Sequence, residues 1–139
     1  MTPDGNITIV KNFLLWFLGE PGGVVKLLIV MVVIDQITGL IKAGVTRKWN
    51  SEAGFHGIAK KVLMFLLVGI ANIIDKEMFG DSEVLRDVVC LFYIANEGLS
   101  VIENSIESGA PVPDVLKERF MAWRNKQLVS KNEPGESED

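Results

Sequence analysis

The stretch "VVKLLIVMVVIDQITGLIKAGV", Val24 to Val45, limits the fold more than any other part of the chain. Its 22 residues make about 33 Å of helix, enough to cross a hydrocarbon core of about 30 Å. Yet Asp35 sits at its middle. The thirteen Val, Ile and Leu residues contribute roughly −5 kcal/mol to insertion, and one central Asp costs roughly +3 kcal/mol on the same scale. The segment inserts with little to spare. A β-strand is the competing reading of "LLIVMVVI", since β-branched runs suit buried strands. The run continues into helical spacing of apolar residues, however, and no Asn-Gly hairpin signal follows it. Helix is the better reading.

Two later segments have the same character. "KVLMFLLVGIANIIDKEMF", Lys61 to Phe79, gives about 28 Å of helix, with no charge between Val62 and Ile74. "VLRDVVCLFYIANEGLSVIENSI", Val84 to Ile106, is marginal. Its ten Val, Ile, Leu and Phe residues up to Ile102 supply about −4 kcal/mol, and Glu97 alone nearly cancels that. Ahead of them, "NITIVKNFLLWFLG" (Asn6 to Gly19) closes on the turn signal "EPGG". At about 20 Å it is too short to span, so the expectation is an amphipathic helix in the membrane plane, with Trp16 at the headgroups. From Pro111 a polar amphipathic helix runs roughly from Asp114 to Val129, and then "SKNEPGESED" has the composition of a disordered acidic tail. The expected fold is all-α: an integral membrane protein with about three transmembrane helices, an N-terminal amphipathic helix and a C-terminal cytoplasmic amphipathic helix. The divisions are 1–23, 24–110 and 111–139.

Loop charges test that reading independently. The connection from Lys42 to Lys61 holds Lys42, Arg47, Lys48, Lys60 and Lys61 against Glu52, whereas Asp75 to Asp87 holds five acids and two bases. The C-terminal region returns five bases, with seven acids from Glu107 onward. Positive residues favour the cytoplasmic side, which places the N-terminus outside and the C-terminus inside. A soluble helical bundle, the bland alternative, has no reason to alternate its loop charges. The start "MTPDGN" lacks the basic opening of a cleaved signal peptide.

The remaining totals exclude function classes. A net charge of −4 argues against nucleic-acid binding, which needs a basic face to replace phosphate counterions. Cys90 is the only cysteine and His56 the only histidine. No intramolecular disulfide, CxxC zinc site or His-based metal cluster follows, so the chain is not expected to be an enzyme and no cofactor is expected. "GFHGIAKK" lacks the spacing and Ser/Thr of a phosphate-binding loop. It reads as a turn at the membrane surface, with His56 a loop residue and Cys90 a small buried hydrophobe. Asp75 and Glu77 read as solvated at a helix end.

The polar residues inside the spans carry the functional question, because intramembrane acids are rare and usually face a partner or water. Asp35, Thr38, Gly39 and Lys42 share one helix face, and Asn72 and Asp75 share a face of the next helix. Glu97, Ser100 and Asn104 form one stripe, with Asn96, Ser100 and Glu103 beside it. Gly39 with Ala43, and Gly69 with Ala71, permit close backbone approach between helices. Three readings stand. The acids pair with Lys42, Arg86 or backbone donors and fix register. Or the stripes face each other in a homo-oligomer, Glu97, Asn96 and Asn104 being satisfied between copies, and later line water. Or Asp35 and Glu97 carry protons or cations in a small ion-coupled transporter, although three short spans are few for one built from repeats.

The set "DQITGLIKAG", "NSEAGFHGIAKKV", "NIIDKEMFG" and "FYIANEGLSVIEN…GAPVPDVLKERF" resembles the small phage holins of Gram-positive hosts, a family that includes holin-like proteins associated with clostridial toxin secretion. The resemblance covers Val24 to Phe120. It implies a protein of the host cytoplasmic membrane that accumulates harmlessly, then oligomerises into holes that release an endolysin or a toxin. Asp35, Gly39, Gly57, Lys61, Asp75, Asn96, Glu97, Ser100, Glu103 and Asn104 match its pattern, none with a catalytic role. Where the family places basic residues after the loop Ser, this chain has Glu52 and Ala53.

Overall fold

The computed structural model describes residues 3–132, with side chains from Gly5 to Ser130. Five helices follow in order: α1 (Pro3–Leu18), α2 (Gly23–Thr46), α3 (Ser51–Phe79), α4 (Val84–Glu107) and α5 (Asp114–Asn132). Among the described residues there is no strand. The acidic tail expected to be disordered lies outside the described residues from Glu133 onward, and α5 continues past Val129 into its first residues.

Local chemistry explains the helix boundaries. Arg47 closes α2 in the left-handed region. Asn50 then opens α3, its side-chain oxygen accepting the N–H groups of Glu52 at 3.0 Å and Ala53 at 3.2 Å. That cap moves the start of α3 upstream from Lys61 to Ser51. The "GFHGIAKK" stretch is therefore helical rather than a turn, and His56 lies on an exposed helical face. Gly54 and Gly57 cost about 1 kcal/mol each against Ala in a helix interior, too little to break so long an element.

α4 takes its N-terminal cap from another helix. Glu83, at the N-cap position, makes no side-chain capping bond. Asp75 of α3 instead accepts the N–H of Leu85 at 3.2 Å and of Arg86 at 2.8 Å. One turn earlier on the same face, Asn72 donates to the carbonyls of Trp16 at 3.3 Å and Phe17 at 3.0 Å, satisfying the end of α1. Asp75 is only 1% exposed, so it is not solvated as its position at a helix end led us to expect. Gly19 follows α1 with φ +80°; a Cβ there would run into the Arg86 guanidinium and the Asn72 carboxamide.

Contacts fix the helix directions. Gly22 borders Arg86, Met31 borders Gly98 and Gly39 borders Asn104, so α2 and α4 run the same way. Lys61 reaches Glu97 while Asp75 reaches Arg86, so α3 runs opposite to both. α1 lies along α3, its Phe17 ring filling the space above Gly69. Leu18 packs against the core, while Phe13 and Leu14, both exposed, border a groove with Ile29, Val62 and Phe65.

The core is small: Val25, Leu28, Met64, Val68 and Cys90 form its buried centre, with Cys90 fully enclosed as expected. The outside is apolar instead. Ile29, Val33, Ile37 and Ile41 on α2, and Val62, Leu66 and Ile70 on α3, stand exposed, while six polar or charged residues among those described are buried. Buried charge under an exposed apolar surface is the reverse of the arrangement water selects. Two helices, α2 and α3, are long and apolar enough to cross a membrane. α4, expected as a third span, does not meet that standard, because Arg86, Asp87, Glu97, Glu103 and Glu107 dilute its apolar residues.

Candidate functional site

Lys61 joins three helices. Its ammonium donates to Asp35 Oδ2 of α2 at 2.8 Å and to Glu97 Oε2 of α4. The three side chains are 9–14% exposed. Asn104, four residues below Ser100 on α4, donates from Nδ2 to Asp35 Oδ1 and to Thr38 Oγ1, both at 3.2 Å. Thr38 in turn donates to the Asp35 carbonyl at 3.0 Å. The periodicity of α2 and α4 places these groups. Asp35 and Thr38 share a face, as do Glu97 and Asn104, and parallel packing brings the two faces together. Gly39 faces Asn104 across this contact, where a Cβ would meet the amide at 3.7 Å, an ordinary van der Waals distance.

The energetics make each buried charge of the cluster depend on a partner. Desolvating an ion pair costs about as much as its attraction returns, but removing one partner of a buried pair costs about 3–5 kcal/mol, since a charge is left uncompensated. Two carboxylates share one ammonium here, and the Asn104 amide gives Asp35 a second donor.

A cleft of about 520 Å³ opens beside the cluster. Asn96, Ser100 and Glu103 line it from α4, Lys60 from α3, and Phe120 and Trp123 from α5. The second polar stripe read from the sequence thus faces this cleft, and Asp35, Lys61 and Glu97 reach its wall as well, while Asn104 turns inward. Phe120 is buried at its rim.

The other expected site residues lie elsewhere. Lys42 does not pair with Asp35 but with Glu107, at 3.3 Å. Arg86 pairs with Glu83 at 3.1 Å and Asp87 at 3.2 Å, and donates to the Glu20 carbonyl at 3.3 Å. With Asn72 and Asp75 it forms a joint between helix ends, away from the Lys61 cluster. Glu97 and Asn104, expected to find partners in neighbouring copies, already have them within one chain. Among the described residues there is no group of three or more His, Cys, Asp or Glu able to hold a metal ion.

Sequence reasoning matched Lys61 to a family pattern but assigned its charge to a loop and missed its partners. The signal was the N-cap Asn50: once α3 is started there, Lys61 falls inside a helix and needs a counter-ion.

Comparison with known proteins matches residues 12–125 to the bacteriophage holin family. An uncharacterized protein of Listeria monocytogenes is 40% identical over 111 residues, covering 80% of this chain and 79% of its own. The uncharacterized protein YqxH of Bacillus subtilis is 40% identical over 113 residues, with 80% of each chain covered. The probable holin of Bacillus phage phi105 is 43% identical over 94 residues, covering 68% of this chain and 69% of the phage protein. No solved structure matches. With a family match spanning α2, α3 and α4 entirely, the chain belongs to the bacteriophage holin family.

Proposed function

We propose that this chain is a working holin: copies accumulate in the bacterial cytoplasmic membrane, assemble, and open holes through which an endolysin or a secreted toxin crosses. The observation that carries the reading is the inverted distribution of polarity, with Asp35, Lys61, Glu97 and Asn104 gathered inside and aliphatic side chains outside. In lipid such a chain hides its charges from hydrocarbon, and in an oligomer the same charges can meet water.

In this reading α2, α3 and α4 cross the bilayer. The connection between α2 and α3 shrinks to Arg47–Asn50, yet with Lys42 and Lys60 nearby it stays positive, while Glu77, Asp81 and Glu83 surround the turn into α4. The α1–α2 turn then lies outside and the C-terminus inside. α3, at 29 residues, measures about 43 Å, so its first turns project beyond a core of about 30 Å. Asn96, Ser100 and Glu103 already face a cleft and are the residues best placed to line a hole. Asp35 and Glu97 border the same cleft while paired with Lys61, and Asn104 lies behind them on Asp35 and Thr38.

Inducible bacterial expression with and without an endolysin tests the proposal. Abrupt loss of culture turbidity only when both are present, with release of folded cytoplasmic protein, is the expected result. A small ion-coupled transporter would pass solutes and retain proteins. Undiminished turbidity with endolysin present overturns the reading.

A further inference from the structure

Resting on the reading that the chain resides in a membrane, we propose that α4 is a conditional span whose entry into the bilayer is controlled by Lys61. α2 and α3 are each apolar enough to insert alone, and α4 is not. What α4 lacks, the other two supply. Its Glu97 is met by Lys61, its Asn104 by Asp35 and Thr38, and its first N–H groups by Asp75. Each of these partners belongs to α2 or α3. The α2–α3 pair holds its own charges without α4, because Lys61 already bonds Asp35 at 2.8 Å. It thus presents a finished receiving face: one ammonium with donor capacity for a second carboxylate, and one carboxylate with an oxygen free for an amide.

The chain consequently has two insertion states that differ by the seating of α4. In one, α4 is packed between lipid and the α2–α3 pair, and α5 is carried across with the orientation described above. In the other, α4 remains at the surface where α3 ends. An uncompensated Glu97 at the centre of a span shifts the balance about 100-fold toward the surface state. Lys61 acts here as a positioning residue for α4, separate from any part that Asn96, Ser100 or Glu103 plays at a hole.

The chain carries its own reporter. Cys90 is its single cysteine, lies on α4 and is fully buried among Val25, Leu28, Met64 and Val68. A membrane-impermeant maleimide, supplied to both faces of isolated membranes, labels a thiol in water and spares one held in the bundle. The native chain is expected to stay unlabelled until dissolved in denaturing detergent, and Lys61→Met to become labelled in intact membranes. Lys61→Met combined with Glu97→Leu is expected to be protected again, since α4 then no longer carries the charge that needed a partner. Labelling of the native chain at the rate of Lys61→Met overturns the proposal, as does protection of Lys61→Met. So does a double variant as reactive as the single one, which would mark Lys61→Met as merely misfolded. The assay reads the place of α4 and not lysis, so its failure leaves the turbidity experiment to judge the holin reading by itself.

Discussion

Asp75 of α3 accepts the backbone N–H of Arg86 in α4 at 2.8 Å, so one helix provides the cap that begins the next. Replacing Asp75 with Ala strips acceptors from two N–H groups of α4, and loss of an N-cap costs about 0.5–2 kcal/mol. The cost should fall at the upper end, because Asp75 and Arg86 are both 1% exposed and water cannot substitute freely. Asp75→Asn keeps an acceptor and should lose less. Thermal unfolding in detergent micelles, followed by helix content, should rank native above Asn above Ala. Equal stability of the Ala and native chains would remove Asp75 from the joint.

Glu97 separates membrane residence from lysis. Glu97→Leu leaves Lys61 paired with Asp35 and lightens α4 by about 3 kcal/mol on the insertion scale, so membrane fractionation should be unchanged. If the polar cluster is used when copies assemble, lysis after induction should be delayed or abolished. Native lysis timing in this variant would take Glu97 out of the functional face.

Periodicity made much of this arrangement legible before any coordinates. Spacing bounds α2 to within a residue and starts α4 at Val84, and it puts Asp35 with Thr38, and Glu97 with Asn104, on shared faces. These features repeat along one helix, where spacing alone decides them. The start of α3 was not legible in the same way, since Gly54 and Gly57 imitate a turn and only the Asn50 cap overrules them. Nor were the partners of Lys61, which lie 26 and 36 positions away in the chain. Helix spacing says which way a charge points, but not what stands opposite. For the same reason spacing left the partner of Lys42, which is Glu107, open, and put Asn72 and Asp75 on one face without showing that they bond the ends of α1 and α4.

Gly69 should reveal whether α1 is a working part of the bundle. A side chain there would occupy the space of the Phe17 ring, so Gly69→Ala must push α1 away or strain it. Overpacking of this kind costs about 1–3 kcal/mol. Phe17→Ala empties the space, and the pair of changes together should be less harmful than their sum. Thermal unfolding of the two single variants and the double measures that coupling; strict additivity would mean that Phe17 does not rest on Gly69.

α5 is held by one aromatic residue rather than by its charges. Arg124 approaches Glu103 at 3.9 Å and Glu107 at 3.7 Å, but these side chains are 36–40% exposed. Pairs so exposed contribute about 0–1 kcal/mol, less in salt. Phe120 is 6% exposed at the rim of the cleft and its ring lies 5.8 Å from that of Trp123. Burying a Phe side chain stabilises by about 1.5–3 kcal/mol, or roughly 10- to 100-fold in the docked population. Phe120→Ala should therefore free α5 and expose Lys117, Arg119 and Lys126 to trypsin, while Arg124→Ala should change cleavage at those positions little. Limited proteolysis of the protein in detergent micelles compares the two. Faster cleavage in Arg124→Ala than in Phe120→Ala would mean that the ion pairs, and not the ring, keep α5 against the cleft.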